Sequence, residues 1–132
     1  MYVPKTLEEL KNLVENTTEE TYQLEFKGKD SLDLKKDDNK KEIAKDVSAF
    51  ANSAGGVIIY GIKEDKTNKP LIKLELEPVD VKKNIKEQFE LIINSNISPK
   101  IDGIRIHSIS SNNSLGFFLV VEIPQSTTVH QN

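Results

Sequence analysis

The chain has 132 residues, 36% of them hydrophobic, with a net charge of −3. That length supports one core, burying roughly two-thirds of the unfolded surface. It has no cysteine, which removes disulfides, zinc–thiolate sites and thiol nucleophiles. Its one arginine, Arg105, is few for a protein that reads guanine edges.

Thr6 with Glu9 three residues on makes a capping box, and Leu7, Leu10, Leu13 and Val14 share one stripe, predicting a helix over residues 6–16. In "YQLEFK", Tyr22, Leu24 and Phe26 alternate with Gln23, Glu25 and Lys27, the pattern of a half-buried strand. "GKDSLDLKKDDNK", residues 28–40, carries charge of both signs with weak periodicity and reads as a mobile loop. Asn39 is placed to cap a second helix, with Ile43, Val47, Phe50 and Ala54 inward and Gly55-Gly56 ending it. "VIIYGI" reads as a buried strand, "KEDKTNKP" as a turn, and "LIKLEL" as the partner strand of a hairpin. A third helix is expected over residues 80–93, with Val81, Ile85, Phe89 and Ile92 inward. "IDGIRIHSI" and "FFLVVEI" form a second hairpin, and the last residues, "PQSTTVHQN", read as unpacked. The fold class is therefore α+β: a mixed, largely antiparallel sheet of about five strands with about three helices. One domain is expected over residues 1–126, followed by a tail over 127–132. No apolar run approaches the roughly 18–20 residues that span a bilayer, and the first residues hold no apolar signal segment. A cytoplasmic protein without a membrane partner is expected.

Gly56, four residues, then Gly61 come close to the phosphate-cradling pattern G-x-x-x-x-G-K-[ST]. That pattern needs the order strand, glycine loop, helix, so that N–H groups at a helix N-terminus face the phosphate. Here the order is helix, glycines, strand, and Ile62-Lys63-Glu64 replaces the lysine and hydroxyl residue. No nucleotide site is expected. Gly55 instead suits a left-handed residue closing a helix, and Gly61 a bulge or a close backbone approach.

"LEFK" (residues 24–27), a helix ending "SAFANSAGG" (48–56) and then "VIIYGIKED" (57–65) resemble the Schlafen AlbA-like domain of bacterial regulators and Schlafen nuclease cores. "NSNISPKI" (94–101) and "FFLVVEIPQS" (117–126) are similar to its C-terminal half. The resemblance implies nucleic-acid binding, RNA or DNA, as in a transcriptional regulator. For some members it also implies RNA cleavage by three acidic residues and a divalent cation, Mg²⁺ or Mn²⁺. Two of those acids map onto Glu20 and Glu25 and the third onto Glu64, where the family commonly has aspartate, with Asp65 beside it. Relatives usually continue into a further strand and a C-terminal region, so the chain is expected to be a piece of a longer protein.

Taken alone, these carboxylates read equally well as solvated surface. Five extended residues span roughly 16 Å, so one metal ion could touch both Glu20 and Glu25 only if the chain bends near residues 20–21 or Glu20 ends a helix that folds back. On the basic side, lysines cluster between Lys27 and Lys45, with five acids interleaved. Lys27, Lys29, Lys45 and Arg105 are the candidate phosphate contacts, which need no base code. Arg105 and His107 share a strand face by period two, and Tyr22, Phe26, Phe50 and Phe89 read as core. Three readings follow: a phosphate-tracking nucleic-acid-binding module, a metal-dependent endoribonuclease using Glu20, Glu25 and Glu64, and a protein-interaction or homo-oligomerisation module.

Overall fold

The computed structural model describes residues 2–17, 21–65, 67, 71–112 and 115–131. Its elements, in order, are α1 (Leu7–Asn16), β1 (Leu24–Lys27), a 3₁₀ turn (Lys29–Leu32), α2 (Asp37–Asn52), β2 (Gly56–Tyr60), β3 (Ile62–Asp65), β4 (Lys73–Leu76), β5 (Val79–Asp80), α3 (Ile85–Asn96), β6 (Arg105–Ser110) and β7 (Gly116–Ile123). Five strands form the main sheet and β3–β4 a separate two-stranded one, so the α+β expectation holds.

The sheet is mixed because β1 and β2 run parallel, joined through α2, whereas β7 pairs antiparallel with β2, β5 and β6. Cross-strand register sorts the side chains onto two faces. Glu25, Ile58, Val121 and Ile106 form one row, and Leu24, Val57, Glu122 and Arg105 the adjacent row on the opposite face. The first face packs on α2 and α3, through Ile43, Val47, Phe50, Phe89 and Ile93. The second packs on α1 and the β3–β4 sheet, through Leu10, Phe26, Ile59, Ile62 and Val120. Covered on both faces, β2 is buried at every residue, which is why it reads as an unbroken apolar run.

Gly61 divides that run. At φ +106° it lets the chain leave the main sheet after Tyr60 and enter β3. Its N–H donates to the Lys27 carbonyl (2.8 Å) and its carbonyl accepts from the Glu77 N–H (2.7 Å). Its expected close backbone approach is therefore to β1 and to the residue after β4.

Several boundaries differ from the sequence reading. β1 begins at Leu24, because Thr21 and Leu24 bridge across a turn at Tyr22-Gln23. Residues 28–40 are not a featureless loop: the 3₁₀ turn anchors them by burying Leu32 completely. α2 starts at Asp37, two residues before Asn39. Asn39 holds that entry differently, its Nδ2 donating to the Asp30 and Asp33 carbonyls (both 2.9 Å). Lys63, Glu64 and Asp65 are strand rather than turn, and pair with the expected partner segment. α3 begins at Ile85 because Asp80 is taken into β5 against Gly116, which leaves Val81 exposed.

Among the last described residues His130 is packed, although Thr127, Thr128 and Val129 stay exposed. Asn52, in the last turn of α2, donates through Nδ2 to the His130 carbonyl and accepts the His130 N–H through Oδ1 (both 2.8 Å). The His130 ring is 4% exposed, bonded to the Pro99 carbonyl and the Ser126 hydroxyl.

Candidate functional site

β1 is the strand around which the predicted site residues gather. Thr21, Tyr22, Leu24, Glu25, Phe26, Lys27, Phe50 and Glu64 line one cleft of about 340 Å³. Four successive strand residues contribute, so the cleft follows the edge of β1 rather than one face. Glu25 and Glu64 therefore share a cleft although 39 positions separate them in the sequence. Gly61 accounts for this by turning the chain after β2 so that β3 comes beside β1. Glu20 lies outside the described residues. The described chain turns just after it, where the Leu24 N–H reaches back to the Thr21 carbonyl (3.5 Å).

Asp65 follows Glu64 in β3 and so points to the other side of that strand. It lines a second polar cleft of about 250 Å³ with Lys63, Glu64 and Glu75. Its Oδ1 accepts the Thr67 N–H (3.0 Å), and this bond holds the carboxyl below its ordinary range.

Lys27 is surrounded by carboxylates. Its Nζ lies 3.1 Å from Asp46 Oδ2, 3.5 Å from Glu25 Oε1 and 3.7 Å from Glu42 Oε1. Glu42, Asp46 and Phe50 recur every four residues of α2, which puts them on one helical face turned toward β1. The charge balance is unequal: one lysine faces three acids, and Asp46 has both Glu25 and Glu42 as like neighbours. Burial alone would lower the Lys27 pKa, but Asp46, Glu25 and Glu42 outweigh it and raise the value. The same burial, helped by Glu25 and Glu42, raises that of Asp46 against the pull of Lys27. Burial, followed by these acids, also pushes the phenol of Tyr60 well up. Tyr60 is opposite Lys27 in the strand register, and its hydroxyl is buried without a hydrogen-bond partner among the described residues.

The remaining candidate cations lie elsewhere. Lys29 is exposed on the 3₁₀ turn and Lys45 on α2. Arg105 shares a face with His107, as its spacing predicts, but on the side of the sheet opposite Glu25 and Lys27. There His107 Nε2 lies 2.8 Å from Glu122 Oε2, with Lys5 Nζ 3.1 Å from the same ring nitrogen. The hydrogen bond to His107 is the main cause that lowers the Glu122 pKa.

One cleft residue escapes the alternation argument. Tyr22, read as core, is 77% exposed because it sits in the turn before β1 rather than in the strand.

The comparisons agree with this architecture. A family model described as Schlafen, AlbA_2 matches residues 20–132. The chain belongs to that family. Among solved structures, it is similar to the N-terminal domain of a RecG-related protein from Nitrosomonas europaea, a protein named for its relation to an ATP-dependent DNA helicase. The two superpose with a TM-score of 0.64, over 88% of this chain and 70% of that one, at 17% identity, and at that identity the likeness is one of fold. No curated protein matches the chain. Among the described residues, no helix is long and apolar enough to cross a membrane.

Proposed function

We propose that this is a nucleic-acid-binding domain that holds RNA or DNA mainly through backbone phosphates, with weak sequence selectivity. The observation that carries this reading is membership of the Schlafen AlbA_2 family over residues 20–132. Exposed lysines are consistent with it. Lys29 and Lys45 have the exposure that phosphate contact requires, whereas Lys27 already balances three carboxylates and serves to position Glu25. A single arginine suits a ligand gripped by charge rather than read base by base. With two phosphate contacts, log affinity falls against log salt with a slope of about −1.4 to −1.8, roughly 7- to 12-fold between about 50 and 200 mM. A fluorescence-anisotropy titration of a short oligonucleotide measures this. A flat salt dependence, or no binding at about 50 mM, refutes the proposal.

One observation favours a second reading, a metal-dependent endoribonuclease: Glu25 and Glu64 line a single cleft. Two carboxylates from separate strands suit Mg²⁺ or Mn²⁺, hard cations that take oxygen ligands and keep several waters. Such an ion polarises a phosphoryl oxygen and lowers the pKa of bound water. Among the described residues, no group of three His, Cys, Asp or Glu side chains is gathered for a metal ion. Glu20, which lies outside them, is the third ligand this reading needs. Mn²⁺-dependent cleavage of structured RNA disappears in Glu25→Gln if the reading holds, and undiminished cleavage rejects it.

A further inference from the structure

The cleft along β1 combines an exposed aromatic ring with a paired acceptor and donor. Tyr22 stands at it 77% exposed, on a turn closed by the Thr21–Leu24 bridge. A ring of that size left in water is a ready stacking surface, and every nucleobase has a π-face to lay on it. The volume, about 340 Å³, is in the range of pockets that take small ligands. Glu25 Oε1 accepts hydrogen bonds and Lys27 Nζ, 3.5 Å away, donates them. Every nucleobase can present the complement of that pair on its Watson–Crick edge: an amino group beside a ring nitrogen in cytosine and adenine, and a ring N–H beside a carbonyl oxygen in uracil and guanine.

Charge sorts the two halves of a nucleotide in the same direction. Glu25 and Glu64, backed by Glu42 and Asp46 around Lys27, repel a phosphate but tolerate an uncharged base. The phosphates are then left outside, where Lys29 is exposed two residues beyond Lys27. In a duplex the base faces are stacked and the Watson–Crick edges paired, so the cleft is closed to it.

We infer that this cleft receives one unpaired nucleobase stacked on Tyr22, which makes the domain's preferred ligand single-stranded. The inference rests on the nucleic-acid reading above and adds the strand form and the stacking residue to it.

Anisotropy titrations at about 50 mM salt compare labelled strands of about 12 nucleotides, oligo-deoxycytidine, oligo-deoxyuridine and a duplex, against wild type, Tyr22→Phe and Tyr22→Ala. Both single strands are expected to bind roughly 10-fold tighter than the duplex. Tyr22→Ala is expected to lose roughly 10-fold on the single strands alone, and Tyr22→Phe to keep the affinity, since stacking needs the ring and not the hydroxyl. The side chain is exposed, so neither variant threatens folding. Equal binding of the deoxycytidine strand by Tyr22→Ala and wild type overturns the inference, and so does equal binding of all three ligands. In both cases a steep salt slope leaves the phosphate-binding proposal standing. Failure of wild type to bind any of them overturns both. A Tyr22-dependent affinity for an arginine-bearing peptide without one for the single strand also overturns the inference, and reassigns the cleft to a cationic side chain.

Discussion

Gly55→Ala is expected to destabilise the protein by about 3 kcal/mol, a large share of the 5–15 kcal/mol typical of a domain. Gly55 has φ +73°, the left-handed residue that closes α2, and its N–H reaches the Phe50 carbonyl (2.8 Å). An L-residue pays about 1–2 kcal/mol for that conformation alone. The added methyl would lie 2.6 Å from the Ile123 carbonyl oxygen and 2.7 Å from the Gln125 nitrogen. Both are backbone atoms at the end of the central strand β7, so neither rotates away. Urea denaturation should show a lower midpoint at an unchanged slope. A loss below about 0.5 kcal/mol, the ordinary surface range, would contradict this account of the glycine.

Lys27→Met should be the second most damaging change, costing about 2 kcal/mol at neutral pH. The side chains of Lys27 and Asp46 are only 19% and 13% exposed, so their charges are partly desolvated. Removing the ammonium leaves Asp46, Glu25 and Glu42 without their shared counter-ion. Asp46→Asn should cost less, because it removes a charge that burial already disfavours. The pH dependence follows from the directions of the shifts. The folded pKa of Lys27 is raised, so its stabilising charge is fully present below about 10.5 and is lost only as pH rises past the folded value. The folded pKa of Asp46 is also raised, so its ionisation, as pH climbs from about 3.8 through the folded value, subtracts from stability. Without Lys27, the burial and like charges that raise the Asp46 pKa act unopposed. The deficit of Lys27→Met should therefore shrink as pH falls and Asp46 protonates. An equal deficit at about pH 3 and pH 7 would mean that Lys27 acts through packing rather than charge.

What the sequence revealed and what it concealed divide by range. Thr6 Oγ1 accepts the Glu9 N–H (3.1 Å) as a capping box predicts, although the Glu9 carboxylate takes the Lys5 N–H rather than that of Thr6. The left-handed close at Gly55, the doubly covered β2 and the β6–β7 hairpin are local patterns, and all were legible. The site was legible in part. Glu64 reaches the Glu25 cleft as the family resemblance implies, but from within β3, because Gly61 turns the chain there. The charge cluster on Lys27 was hidden, since the docking of α2 against β1 is a long-range event that spacing on the helix does not specify. Tyr22 was misplaced because a two-residue turn interrupts an alternation that otherwise runs on unbroken. His130 and Ser126 looked like a polar tail because their partners, Asn52 and Pro99, are remote in sequence.

The central claim is that the cleft along β1 is where this domain meets nucleic acid. Amide chemical shifts followed during titration with the deoxycytidine strand locate the contact residue by residue. The largest changes should fall on residues 21–27, Phe50 and Glu64, and fade as salt is raised. Changes centred on Arg105 and His107, across the sheet, would contradict it.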